Sequence, residues 1–133
     1  MSRIQALFGL VIDAAAETAR FPWIRKVKFA FCPLADKHHA EKWRQFAHTN
    51  HRVYTVCFAK AAEWELYEEE VLGMVAHELG HIVGKRLRYP EHTRVTREKG
   101  TPKRVQDEAD RIAREVLGFN VQYNRRTLQE LRK

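Results

Sequence analysis

Apolar residues recur along this chain in two periods, and their succession sketches an α+β fold. Over residues 4–20, Ile4, Leu7, Phe8, Val11, Ile12, Ala15 and Ala19 keep a helical period, with Arg3, Asp13 and Glu17 off that face. A first helix is predicted, with Ser2 as its N-cap. Phe21-Pro22 should end it, because the residue before a proline avoids the helical region. Residues 27–31 then alternate with a period near two, and residues 52–59 are rich in β-branched and aromatic side chains. Both predict strands.

Between the strands, residues 34–50 are polar. Trp43 and Phe46, three apart, suggest a short helix anchored to the core. Four of the seven histidines (His38, His39, His48 and His51) lie in or beside this tract. Histidine-rich tracts can bind metal, but no carboxylate or cysteine pattern organises these four, so solvated histidines on a helix or loop are expected.

Residues 61–86 return to a helical stripe of Trp64, Tyr67, Val71, Met74, Val75, Leu79, Ile82 and Val83. Glu63, Glu65, Glu68, Glu69 and Glu70 crowd its front, where carboxylates suit the helix dipole. Gly73 admits a break, so two helices are allowed, the second starting near Glu68. Gly80 and Gly84 are costly inside a helix, and their expected use is the close approach of a neighbouring backbone. Residues 87–102 form a loop that holds His92. Residues 104–117 are helical again, with Gly118 as the stop. Residues 121–123 suit a short extended piece, and residues 127–131 a last helical turn. No internal repeat is visible, and residues 1–133 are expected to form one domain.

The apolar fraction of 44% is ordinary for a folded domain. No apolar run approaches the roughly 20 residues needed to span a bilayer. The apolar start of the first helix is followed by Asp13 and Glu17 rather than a cleavage site, so a cytoplasmic protein without membrane association is expected. Cys32 and Cys57 sit in β-prone runs. They are expected to be small buried hydrophobes rather than a disulfide or zinc ligands, since neither has a partner at finger-like spacing.

The net charge of +7 is unevenly placed. Residues 1–84 carry ten Lys/Arg and ten Asp/Glu, whereas residues 85–133 carry fourteen and seven, so the whole excess lies in the last third. Such a region suits nucleic acid or an acidic partner, or simply a solvated surface.

The chemistry centres on His77-Glu78-Leu79-Gly80-His81. On a helix, His77 and His81 lie one turn apart on one face and can chelate one ion, while Glu78 lies near enough to act on water beside it. Catalytic zinc wants three protein ligands and an open position, so a third ligand must come from elsewhere. A later helix offers Gln106-Asp107-Glu108-Ala109-Asp110.

Together, H-E-L-G-H at 77–81 and E-A-D-R-I-A at 108–113 resemble the zincin metallopeptidases of the gluzincin type, in particular the small ImmA/IrrE-like and HtpX-like catalytic domains. The resemblance covers roughly residues 68–117. It implies a small zincin-like domain: an N-terminal helix, a small sheet, the motif helix, and a following helix that supplies the third ligand. It also implies a Zn2+-dependent peptidase acting on a protein or peptide substrate, with His77 and His81 as ligands and Glu78 as general base. In that family the second helix carries E-x-x-A-D or E-x-x-A-N, and its glutamate binds zinc. Matching Ala109-Asp110 to that pattern puts Gln106 at the ligand position.

Four residues therefore stand as candidates for the third ligand. Asp110 leads, because it shares a face with the small Ala109 and Ala113. Gln106 would act through its carbonyl oxygen. Glu108, or Asp107 beside it, would serve on a rotated helix. His92, eleven residues beyond His81, would donate from the loop as in SprT-like proteases. The metzincin pattern fails, since its third histidine would fall on Leu87. Tyr89, His92 and Tyr123 are candidate oxyanion donors. The alternative function is a metal-stabilised binding module with little or no peptidase activity, contacting nucleic acid or an acidic partner through residues 85–133.

Overall fold

Helix α1 (Arg3–Ala19) opens the fold and is capped twice. The Ser2 hydroxyl accepts from the Gln5 N–H at 2.9 Å, and the Glu63 carboxylate accepts the N–H groups of Arg3 and Ile4 at 3.2 and 3.0 Å. Free N–H groups at a helix start favour such an anion. Burial acts against the Glu63 charge, but the hydrogen bonds from Ser2, Ile4 and Arg3 outweigh it and hold its pKa below the ordinary glutamate value. The computed structural model describes residues 2–41, 45–50, 52–94 and 100–119. The expectations for residues 121–123 and 127–131, and for Trp43 and His51, fall outside them.

A short 3-10 turn (Pro22–Lys26) leads into strand β1 (Lys28–Phe31), followed by α2 (Pro33–Glu41), β2 (Ala47–Asn50) and β3 (Thr55–Phe58). Next come α3 (Ala62–Glu65), α4 (Glu68–Arg86), α5 (Pro90–Thr93) and α6 (Lys103–Glu115). Among the described residues this is an α+β fold of six helices and one three-stranded sheet, in the order β1-β3-β2. β1 runs parallel to β3, and β2 antiparallel to it.

Three local expectations are corrected. Phe46 precedes strand β2 rather than sitting on a helix, although it is buried in the core as foreseen. The loop after α4 contains the one-turn helix α5, started by Pro90, whose fixed φ suits the first helical position. The second predicted strand is shorter than expected, because residues 52–54 turn and Tyr54 adopts φ +45°.

Strand pairing sorts the sheet's side chains by face. Val56 and Phe58 enter the core, where the Phe58 and Phe29 rings lie 5.9 Å apart and Phe29 meets Phe8 of α1 at 5.6 Å. Cys57 and Thr55 therefore project from the other face. The core continues through Ile4, Val11, Ile24, Val71, Val75, Leu79, Ile82 and Ile112, so α1, α4 and α6 pack around one apolar centre.

Candidate metal centre

Helix α4 is uncommonly buried. From Met74 to Gly84 every residue is buried, including His77 (7% exposed), Glu78 (9%) and His81 (8%). Such polar side chains stay buried only with partners. Two glycines let those partners come close. A Cβ on Gly80 would stand 2.2 Å from the Ala109 carbonyl oxygen of α6, and one on Gly84 would stand 2.6 Å from the His92 ring.

That approach brings three donor atoms together. His77 Nε2 lies 2.7 Å from Gln106 Oε1, His81 Nε2 lies 2.9 Å from the same oxygen, and the two Nε2 atoms are 3.1 Å apart. The far sides of the rings are tied as well. His77 Nδ1 is 2.6 Å from Asp110 Oδ1. His81 Nδ1 is 2.9 Å from His92 Nε2, and His92 Nδ1 is 2.7 Å from Glu108 Oε1.

These contacts assign the protons. A carboxylate only accepts, so His77 Nδ1–H donates to Asp110 and His92 Nδ1–H donates to Glu108. With that single proton on His92, its Nε2 accepts and His81 Nδ1–H donates to it. Both α4 histidines are left with an Nε2 lone pair facing the other and facing the Gln106 carbonyl oxygen. Three acceptors that converge in this way attract a cation or a proton.

The charge balance agrees. Burial disfavours a charge on His77, but the Asp110 hydrogen bond, together with the Glu78 and Asp110 charges, raises its pKa above the ordinary histidine value. Burial pushes His81 down to about 4, against the pull of Glu78. Burial also opposes the charge on Glu108, yet its bonds from His92 and the N–H groups of Glu91 and His92 hold its pKa low.

Glu78 points into a cleft of about 290 Å³ that is also lined by His81, Gln106, His48 and Thr49. The Thr49 hydroxyl donates to Glu78 Oε2, which ties the motif helix to strand β2.

The structure thus brings together His77, Glu78, His81 and Gln106 at the centre, with Asp110, His92 and Glu108 one layer out. Asp110 was expected among the converging ligands, but its carboxylate lies on the Nδ1 side of His77, and Gln106 occupies the Nε2 side. His92 meets His81 through its own Nε2 at His81 Nδ1, on the side of the ring away from the converging donors. Glu108, expected to point away, does turn from α4 but is 2% exposed because α5 covers it. Asp107 is exposed and pairs with Lys103 at 2.9 Å. Tyr89 packs against the core, and Tyr123 lies outside the described residues. Thr49 was missed, since nothing in its local pattern announces that it faces α4.

A second group was also missed. Cys32, His48 and Cys57 place one ligand atom each within 4.8 Å of one another and could hold a metal ion. Both cysteines are free thiols. His38, His39 and His48 are half-buried, not solvated, and the Nδ1 atom of each is buried without a hydrogen-bond partner among the described residues. The signal that could have found this group is strand alternation, but only with β2 recognised as a strand.

Compared with family models, curated proteins and solved structures, the chain matches none. No helix among the described residues is long and apolar enough to cross a membrane.

Proposed function

We propose that this protein is a zinc-dependent metallopeptidase of the zincin type, with His77, His81 and Gln106 holding Zn2+ and Glu78 as general base. The observation that carries this reading is the convergence of three lone-pair donors, 2.7 to 3.1 Å apart, beside a cleft-lining carboxylate. Tetrahedral bonds of about 2.0–2.1 Å set ligand atoms roughly 3.3 Å apart, so the donor set fits with small adjustments. A carboxylate on the far ring nitrogen, as Asp110 is to His77, is a usual support of a ligating histidine, and His81 has the His92–Glu108 pair in that place.

Zinc in such a site supplies Lewis acidity toward water and toward a carbonyl oxygen. The chain's own residues do the rest. Asp110 and the His92–Glu108 pair fix the tautomers that aim both Nε2 lone pairs at the ion. Glu78, oriented by Thr49, takes the proton of the attacking water and returns it to the leaving amine. The substrate is a protein or peptide whose scissile carbonyl enters the cleft beside Glu78. Glu78→Gln should keep zinc and lose about 10²–10⁴-fold in peptide hydrolysis. Unchanged hydrolysis would overturn the mechanism.

Gln106 also supports a second reading. A neutral amide leaves the ion without a charged protein ligand, which suits a metal-stabilised module that binds nucleic acid or an acidic partner through the basic region 85–133. A steep fall of DNA affinity with salt would favour that module. No DNA binding at low salt would exclude its nucleic-acid form.

A further inference from the structure

The sheet carries a constellation that the peptidase reading does not use. His48 and Cys57 are directly paired across β2 and β3, and so project from the same face. Ala30 is the partner of Cys57 on β1, and Cys32, two residues on, continues its alternation. β2, β3 and the residue that follows β1 thus each place one soft or borderline donor on the same face. Thr49 and Val56, the next pair, point to the other, where Thr49 meets Glu78.

We infer that Cys32, His48 and Cys57 form a second cation site, for a thiophilic closed-shell ion of the zinc class, separate from the His77–His81 centre. The three ligand atoms lie within 4.8 Å of one another, yet they satisfy each other poorly. Cys32 Sγ and His48 Nε2 are 3.8 Å apart, a weak thiol contact. Among the described residues His48 Nδ1 is buried without a hydrogen-bond partner, and His38 of α2 places its ring edge-on 5.6 Å away with its own Nδ1 likewise unpartnered. Two thiolates and an imidazole are a familiar zinc donor set.

Burial first, and the neighbouring His38 second, lower the His48 pKa against the pull of Glu78, which favours the neutral ring that a metal needs. Burial pushes the Cys57 thiol up to about 12. A coordinated thiol is deprotonated by the ion itself, so binding here should release protons. Cys57 lies in β3, His48 in the edge strand β2 and Cys32 directly after β1, so occupancy would tie these three segments together.

Cobalt titration of the reduced full-length chain tests this, because only a thiolate site gives a near-ultraviolet sulfur-to-cobalt charge-transfer band. The band should appear in the unmodified protein and in His77→Ala, and vanish in Cys32→Ser. This separates the site from the peptidase centre, which has no sulfur ligand. Zn2+ should also slow alkylation of both thiols in the unmodified protein by about tenfold or more. That measurement needs no variant to fold. The inference is overturned if reduced protein shows no band, if the band survives in Cys32→Ser, or if Zn2+ leaves thiol alkylation unchanged.

Discussion

Gly80 of α4 and Ala109 of α6 meet so closely that a single methyl on Gly80 would stand 2.2 Å from the Ala109 carbonyl oxygen. This contact sets the distance at which Gln106 reaches His77 and His81, and Asp110 reaches His77. The obstacle is backbone, so a side-chain rotation cannot relieve it. Gly80→Ala should cost about 1–3 kcal/mol, the usual range for overpacking, and should weaken metal binding as α6 retreats. Denaturant unfolding and metal titration of the same variant check both.

Substitution at Gln106 should move metal affinity in opposite directions. Gln106→Glu puts a charged oxygen beside two neutral imidazoles and should tighten zinc by about tenfold or more, or ~1.4 kcal/mol. Gln106→Ala should loosen it by a similar factor. Chelator competition in a Cys32→Ser background isolates this centre from the thiol group. Equal affinities for all three side chains would remove Gln106 from the ligand set.

Asp110 and Glu108 act through the histidines. Asp110→Asn replaces the acceptor of the His77 Nδ1–H, and Glu108→Gln weakens the bond that orients His92 toward His81. Each should lower metal affinity about 10–100-fold. Glu108→Gln should also destabilise the fold, because Glu108 accepts the N–H groups of Glu91 and His92 and so holds α5 to α6. Asp110→Asn should leave the α5 contact intact, and amide exchange at Glu91 and His92 would distinguish the two.

Glu63 makes a pH-dependent contribution far from the metal centre. Its folded pKa lies below the unfolded value of about 4.3, because hydrogen bonds outweigh burial. Its stabilisation is therefore complete above that value and is lost as pH falls through the folded pKa. Glu63→Ala should cost about 1 kcal/mol near neutral pH, as loss of a helix cap does. The difference from the unmodified protein should shrink on acidification below pH ~4. A difference independent of pH would mean that the Glu63 charge has no part in the cap.

Periodicity alone was enough for the helices around the site. The stripes over α1, α4 and α6 are long enough for each apolar face to declare itself, and Ser2, Glu68 and Gly118 mark ends close to those observed. Spacing likewise put His77 and His81 on one helical face, and the small residues Gly80 and Ala109 foretold a close approach. Strand β2 escaped because four residues, Ala-His-Thr-Asn, carry little β-propensity, and their strand character comes from pairing with β3.

The division follows from range. The sequence by itself determined what depends on neighbours within a few turns: which segments are helical, which face is apolar, and that an i, i+4 histidine pair sits beside a glutamate. Tertiary structure decided everything that depends on how two elements are rotated against each other. The rotation of α6 puts Gln106 at the Nε2 atoms and Asp110 on the far side of His77. The pairing of β3 with β2 and β1 gathers His48, Cys57 and, directly after β1, Cys32. Both outcomes turn on a few ångströms between backbones, a distance that no local pattern of residues encodes.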